Sequence, residues 1–153
     1  MKIRDFKLEV FLDKHEFTAP YLLTQSDCES MSIKDLLGFE KGAEERFLNS
    51  RLGYTEVSGN PELRKVISEL YTGMKPKNII VHAGAQEPIF NFMNVLLDKG
   101  DHVISQFPIY QSLFEVANAI GCKVSRWNIE QSESGWRVDI NKLEQLVQPN
   151  TKL

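Results

Sequence analysis

Strand-like and helix-like segments alternate in the second half of the chain, and this order limits the fold more than any other feature. The segment 78–83, NIIVHA, is nearly continuously apolar, as a strand buried on both faces is. Further strands are predicted at 102–106 and 122–129, with helical periodicity before, between and after the three. Strand, helix, strand, helix is typical of an α/β protein, so we predict a mainly parallel sheet with helices on both faces.

Capping residues predict where the helices begin and end. Asn60 is a suitable N-cap for a helix that Gly73 ends. Asp139 is a suitable N-cap for the last helix, after a polar loop at 131–135. Gly121 ends the helix that follows the second strand.

The first 50 residues carry weaker signals. Residues 3–12 combine apolar and charged side chains, which predicts a short amphipathic helix or an arm that lies on a partner surface. Residues 24–32 are polar and turn-like, and residues 33–48 are weakly helical because glycines interrupt them.

Residues 151–153 have the pattern of the entrance to a further strand. Three strands are few for a parallel sheet, whose two faces both need to be covered. We therefore expect the chain to be the N-terminal part of a longer protein.

Composition excludes several classes of protein. The formal net charge is −3, and no basic run indicates nucleic-acid binding. No apolar stretch approaches the roughly 20 residues that span a bilayer, so no membrane association is expected. Cys28 and Cys122 form neither a metal-ligand spacing nor a disulfide framework. We predict no metal site and a reducing, cytoplasmic setting.

The loop VHAGAQEP, residues 81–88, is the best candidate binding site. A parallel strand, a turn of small residues and a helix place free backbone N–H groups at the helix N-terminus, where they favour a phosphate. Gly84 and Ala85 allow an anion to approach the backbone, and Gln86 adds an amide. The alternative is that small residues serve only the turn, since the chain contains neither GxGxxG nor GxxxxGK[ST].

Two tyrosines are candidates for the same site. Tyr110 lies two residues after Pro108, where a predicted strand ends, and ligands of open α/β sheets bind outside the carboxyl ends of strands. Its ring could stack on a planar ligand, although a tyrosine at a helix start is more often a packing residue. Tyr54 lies in the loop LGYTEVSG and carries little information alone.

Together these features resemble the N-terminal half of the class I/II aminotransferases, fold-type I enzymes that depend on pyridoxal phosphate (PLP). Tyr54, Gly59 and Leu63-Arg64 give the spacing Y-x4-G-x3-L-R. A small-residue loop after a strand follows, and then an aromatic residue two positions after a proline. The flanking segments agree, in NPELRKVISELY, LLDKGDHVI and VANAIGCKV.

The resemblance covers residues 51–153 well and the first 50 loosely. It implies that residues 1–50 form an N-terminal arm and part of a small domain. It implies that residues 51–153 form the N-terminal part of the PLP-binding large domain.

The resemblance also assigns the candidate residues to the cofactor PLP. In the family, the loop that matches Gly84, Ala85 and Gln86 holds the cofactor phosphate through backbone amides. The aromatic residue that matches Tyr110 stacks on the pyridine ring. The tyrosine that matches Tyr54 reaches the phosphate of the neighbouring subunit, which implies a homodimer.

The implied reaction moves an amino group between an amino acid and a 2-oxo acid. The family's Schiff-base lysine, its pyridine-pairing aspartate and its carboxylate-binding arginine all match positions beyond Leu153. We therefore expect no catalytic residue in this segment and no turnover by the 153-residue chain alone. Ala85 also lacks the hydroxyl that many relatives carry in the phosphate loop.

Other functions stay open at this point. The same fold hosts PLP-dependent lyases and synthases, which share the phosphate loop. A short natural protein could instead be a non-catalytic domain that binds PLP or another phosphate, or a structural domain without these sites.

Overall fold

The computed structural model of the protein describes residues 1–24 and 26–153. Two compact units are present, one formed by residues 1–18 and 82–153 and the other by residues 19–81. The predicted domain boundary at residue 50 stays a prediction. In chain order the helices and strands are α1 (Lys7–His15), α2 (Ile33–Gly38), α3 (Ala43–Leu48), α4 (Pro61–Glu69), α5 (Gln86–Leu96), β1 (His102–Phe107), α6 (Ser112–Ile120), β2 (Lys123–Asn128), β3 (Glu130–Ser132), β4 (Gly135–Arg137) and α7 (Ile140–Leu146).

The first unit is built on a parallel sheet. β1 and β2 pair in parallel along their whole length, beginning with His102 opposite Lys123. On the other side of β1, Thr151 forms a parallel bridge with His102, and the Ile104 N–H donates to the Leu153 carbonyl at 2.8 Å. These pairings confirm the strands predicted from residue 102 onward and the parallel α/β fold.

One face of this sheet is covered by α5 and α6. Successive strand residues point to opposite faces, and Val103, only 1% exposed, points to this one. Gly121 ends α6 with φ +102°, as predicted. The buried apolar residues of this core are Met93, Leu97, Val103, Val116, Ala117 and Cys122.

The opposite face is covered by α7. His102 is fully buried there, with Nδ1 2.7 Å from Thr151 Oγ1 and Nε2 2.8 Å from Ser125 Oγ. The Trp127 indole donates to the Asp139 carbonyl at 2.8 Å, and the Asp139 carboxylate caps α7 as predicted. Helices therefore lie on both faces of the sheet.

In the second unit, α4 begins as predicted but buries little. The Asn60 carboxamide oxygen accepts the N–H groups of Glu62 and Leu63 at 2.9 and 3.1 Å. Val66 and Leu70, apolar residues four positions apart and so on one face of the helix, are 57% and 75% exposed. The cap forms between neighbouring residues of the chain, whereas the apolar face of α4 is buried only where another element packs against it.

The strand predicted at 78–83 is wrong. A 3-10 turn covers Pro76–Asn78, and Ile80 is 64% exposed. Within residues 80–83 one backbone-to-backbone hydrogen bond is found in the described chain, from the Val81 N–H to the Ser58 carbonyl at 3.0 Å. An apolar segment becomes a strand only where a second backbone pairs with it, and no described strand pairs with this one.

The loop predicted at 131–135 is instead a short antiparallel hairpin. β3 and β4 pair with Gln131 opposite Trp136, and a two-residue turn joins them. Both strands are largely exposed, and their sequences lack the alternation of apolar and polar residues that identifies half-buried strands. The sequence pattern therefore did not predict them.

The first 50 residues match their predictions in outline. Helix α1 overlaps the amphipathic segment 3–12, and α2 and α3 divide the weakly helical stretch. Residues 26–32 contain no helix or strand, and residue 25 of the predicted turn lies outside the described residues. Among the described residues, the helices are too short and too polar for any of them to cross a membrane.

Candidate cofactor site

The loop before α5 contains three of the predicted site residues. Ala85 is the N-cap and Gln86 the first helical residue, while Gly84 has φ +74°. In the described chain, the backbone N–H groups of these three residues donate to no acceptor. The positive end of the α5 dipole therefore carries unpaired donors, an arrangement that attracts anions.

The space around this loop is open. A Cβ built on Gly84 would meet no heavy atom within 4 Å. The Glu87 carboxylate accepts the Ala83 N–H at 2.7 Å and lies 3.7 Å from His82 Nδ1. The carboxylate thus accepts the N–H of Ala83 and none of the three that follow it. The N–H groups of Gly84, Ala85 and Gln86 stay available to a ligand.

Tyr110 lies in the connection between β1 and α6 and is 38% exposed. Its hydroxyl donates to Glu9 Oε1 at 2.8 Å. Its ring centroid lies 4.7 Å from that of Phe6, with 51° between the ring planes. The phenol is thus held by residues from α1 and the segment before it.

Gln86 and Tyr110 are brought together, although they are 24 positions apart in the sequence. The Glu9 hydrogen bond, followed by burial and the Glu9 charge, raises the pKa of the Tyr110 hydroxyl, and a hydrogen bond with the Gln86 side chain partly opposes this. A residue of the phosphate-loop candidate and the ring-stacking candidate therefore lie near each other. Their binding roles stay predictions.

Tyr54 lies in the second unit, in the loop before α4, and its side chain is fully exposed. Its predicted reach to a neighbouring subunit stays a prediction.

Sequence reasoning missed the contacts of the N-terminal arm, defined as residues 1–18. The arm lies on α6 of its own unit, where both Glu115 carboxylate oxygens accept bonds from the Arg4 guanidinium at 2.5 and 2.8 Å. The contacts from Arg4 and Glu9 to the α6 region join residues 101 to 111 positions apart. The amphipathic pattern of 3–12 indicated an arm, but no local signal identified its own α6 as the surface.

Comparison with known protein families gives a consistent result. The family model described as aminotransferase class I and II matches residues 37–153. Over 95 residues the chain is 35% identical to a histidinol-phosphate aminotransferase of Methanococcus maripaludis, covering 61% of this chain and 25% of that protein. Over 104 residues it is 33% identical to an aspartate aminotransferase of Rhizobium meliloti, covering 65% and 25%.

A solved structure is similar over nearly the whole chain. A PLP-dependent aminotransferase from Streptococcus suis superposes with a TM-score of 0.87 at 34% identity, covering 99% of this chain and 41% of that one. The chain spans about a quarter of the length of the two curated relatives.

Proposed function

Because this chain belongs to the class I and II aminotransferase family, we propose that it supplies the N-terminal part of a PLP-dependent aminotransferase. Such an enzyme moves an amino group between an amino acid and a 2-oxo acid. One observation carries the proposal: three backbone N–H groups at the start of α5, unpaired in the described chain, lie near an aromatic ring on the next connection, whose hydroxyl is close enough to the Gln86 side chain for its pKa to be affected. The named relatives are aminotransferases, which favours this activity over a lyase or synthase.

The residues present suit PLP. A phosphate dianion is matched by free N–H groups at the positive end of a helix, and Gly84 leaves open space for its approach. A flat heteroaromatic ring is matched by the partly exposed ring of Tyr110. When bound, PLP supplies an electron-withdrawing ring that stabilises negative charge at the amino acid's α-carbon.

The residues of this chain act by binding and orientation. The N–H groups of Gly84, Ala85 and Gln86 donate to the phosphate and fix its depth in the site. Tyr110 packs against the pyridine ring, and its hydrogen bond to Glu9 and its contact with the Phe6 ring limit the rotation of its own ring. No lysine of this segment is proposed as the Schiff-base lysine, so we propose no catalytic residue here and no turnover by this segment alone.

We also propose a homodimer in which Tyr54 donates a hydrogen bond to the phosphate bound by the partner. The full exposure of the Tyr54 side chain supports this role, because the hydroxyl is accessible to a second subunit. A cytoplasmic location is proposed as well, and the free thiols of Cys28 and Cys122 are compatible with a reducing compartment.

The proposal is tested by PLP titration of the natural gene product and its Tyr110→Ala variant. Loss of an aromatic contact worth about 0.5–1.5 kcal/mol predicts PLP binding weakened by about 2- to 13-fold, with a changed cofactor absorbance band. Tyr110→Phe keeps the ring and binds PLP more tightly than Tyr110→Ala does. Tyr71→Ala removes an exposed tyrosine of the other unit and leaves binding unchanged. Unchanged affinity and an unchanged spectrum in Tyr110→Ala would contradict the stacking role.

A further inference from the structure

The N-terminal arm contacts the start of α6 through a chain of polar bonds. The Lys7 N–H donates to Gln111 Oε1 at 3.0 Å, and the Gln111 amide donates to the Asp5 carbonyl at 2.9 Å. One side chain therefore bonds the arm backbone at two points. Such paired bonds fix the register of the arm along α6.

An ion pair anchors the arm next to these bonds. The Glu115 residue is only 4% exposed, and its carboxylate binds Arg4 through both oxygens. Its other side-chain partner is Asn118, at 3.5 Å. Because a buried carboxylate without a counter-ion is unfavourable, Glu115 holds the arm in place.

The register set by these contacts brings two arm residues to Tyr110. Glu9 accepts the phenolic hydrogen at 2.8 Å, and Phe6 contacts the ring at a centroid distance of 4.7 Å. A tyrosine side chain has two rotatable bonds, and restricting both before a ligand arrives reduces the entropy cost of binding.

We propose that the N-terminal arm positions Tyr110 for the cofactor, with Glu9 and Phe6 as positioning residues and the Arg4–Glu115 pair as their anchor. The inference rests on the proposed function, because it takes Tyr110 as the residue that packs on PLP. It adds that PLP affinity depends on a docked arm. By reciprocity, bound PLP holds the arm on α6 more tightly.

The first test follows the Tyr110 phenol in the apo form of the natural gene product. The chain has four tyrosines, so subtracting the ultraviolet titration of Tyr110→Phe isolates the signal of this one. Glu9→Ala removes the main cause that raises the pKa of Tyr110, so the phenol titrates at lower pH. Glu9→Gln keeps an acceptor oxygen without the charge and gives an intermediate titration.

The second test measures PLP affinity in the same variants. Glu9→Ala weakens PLP binding by about three- to tenfold, the equivalent of one hydrogen bond, and Glu9→Gln stays within about twofold of the wild type. Asp13→Ala is the matched control, because Asp13 is an exposed carboxylate one turn further along α1. It changes neither the phenol titration nor PLP affinity. Circular dichroism verifies that each variant is folded.

The outcomes separate the two proposals. Wild-type PLP affinity in Glu9→Ala, while Tyr110→Ala binds PLP weakly, overturns the positioning role and leaves the stacking role standing. An unchanged phenol titration in Glu9→Ala overturns the arm contact itself. Wild-type PLP affinity in Tyr110→Ala overturns the stacking role, and with it the inference about the arm. The inference is supported when Glu9→Ala changes both readouts and Glu9→Gln restores the affinity.

Discussion

Replacing Gly84 by alanine should have two effects that can be measured separately, one on the stability of the apo protein and one on its affinity for PLP. Gly84 has φ +74°, and an added Cβ meets no heavy atom within 4 Å. The stability cost in the apo protein is therefore conformational alone, about 1–2 kcal/mol. The same substitution narrows the approach to the neighbouring N–H groups, where we propose the phosphate binds.

Gly73→Ala is the matched control for this substitution. Gly73 has φ +79° and, like Gly84, open space around an added Cβ. Both variants should therefore lose similar stability, which urea denaturation of the apo forms measures. They differ in their place in the chain, since Gly73 lies outside the proposed site.

PLP titration then distinguishes the two variants. Loss of one hydrogen bond to a charged group costs about 1.5–3 kcal/mol, so Gly84→Ala should weaken PLP binding by about 10- to 150-fold. Gly73→Ala should bind PLP as the wild type does. Equal PLP affinity in the two variants would refute the assignment of the phosphate to this loop.

Three further predictions concern the scaffold. An added Cβ at Gly59, where φ is +100°, would lie 2.5 Å from Val81 Cγ2, so Gly59→Ala should cost about 2–5 kcal/mol in urea denaturation, more than Gly73→Ala does. His102→Leu leaves its two hydroxyl partners without the imidazole, and thermal and urea unfolding should show a loss of about 2–4 kcal/mol. The Arg4 hydrogen bond is the main cause of the lowered pKa of Glu115. Since a lowered carboxyl pKa contributes stability that disappears as pH falls, pepsin, which is active in acid, should cleave the N-terminal arm faster as the pH falls below about 4.5, with rates normalised to a reference peptide and read by mass spectrometry, and Glu115→Gln should remove this pH dependence.

The features that could be predicted from the sequence are local. The Asn60 and Asp139 caps and the end of α6 at Gly121 each depend on a few neighbouring residues, and each prediction is confirmed. The parallel strands were also predictable, because buried β1 lies between helices with clear apolar periodicity.

The features that could not be predicted depend on distant parts of the chain. Residues 78–83 have the composition of a strand, but strand formation needs a pairing partner that local sequence does not specify. Within the candidate site, the loop at Gly84 was visible as a turn of small residues. The contacts of Tyr110 with Glu9 and Gln86 were not, because they join segments 101 and 24 positions apart.

The central claim is that the start of α5 binds the cofactor phosphate and that Tyr110 packs on its ring. A crystal structure of the natural gene product grown with PLP tests it most directly. The account predicts phosphate oxygens within about 2.7–3.2 Å of the Ala85 and Gln86 nitrogens, with the pyridine ring against the Tyr110 ring. PLP bound at full occupancy with its phosphate away from these N–H groups would contradict it.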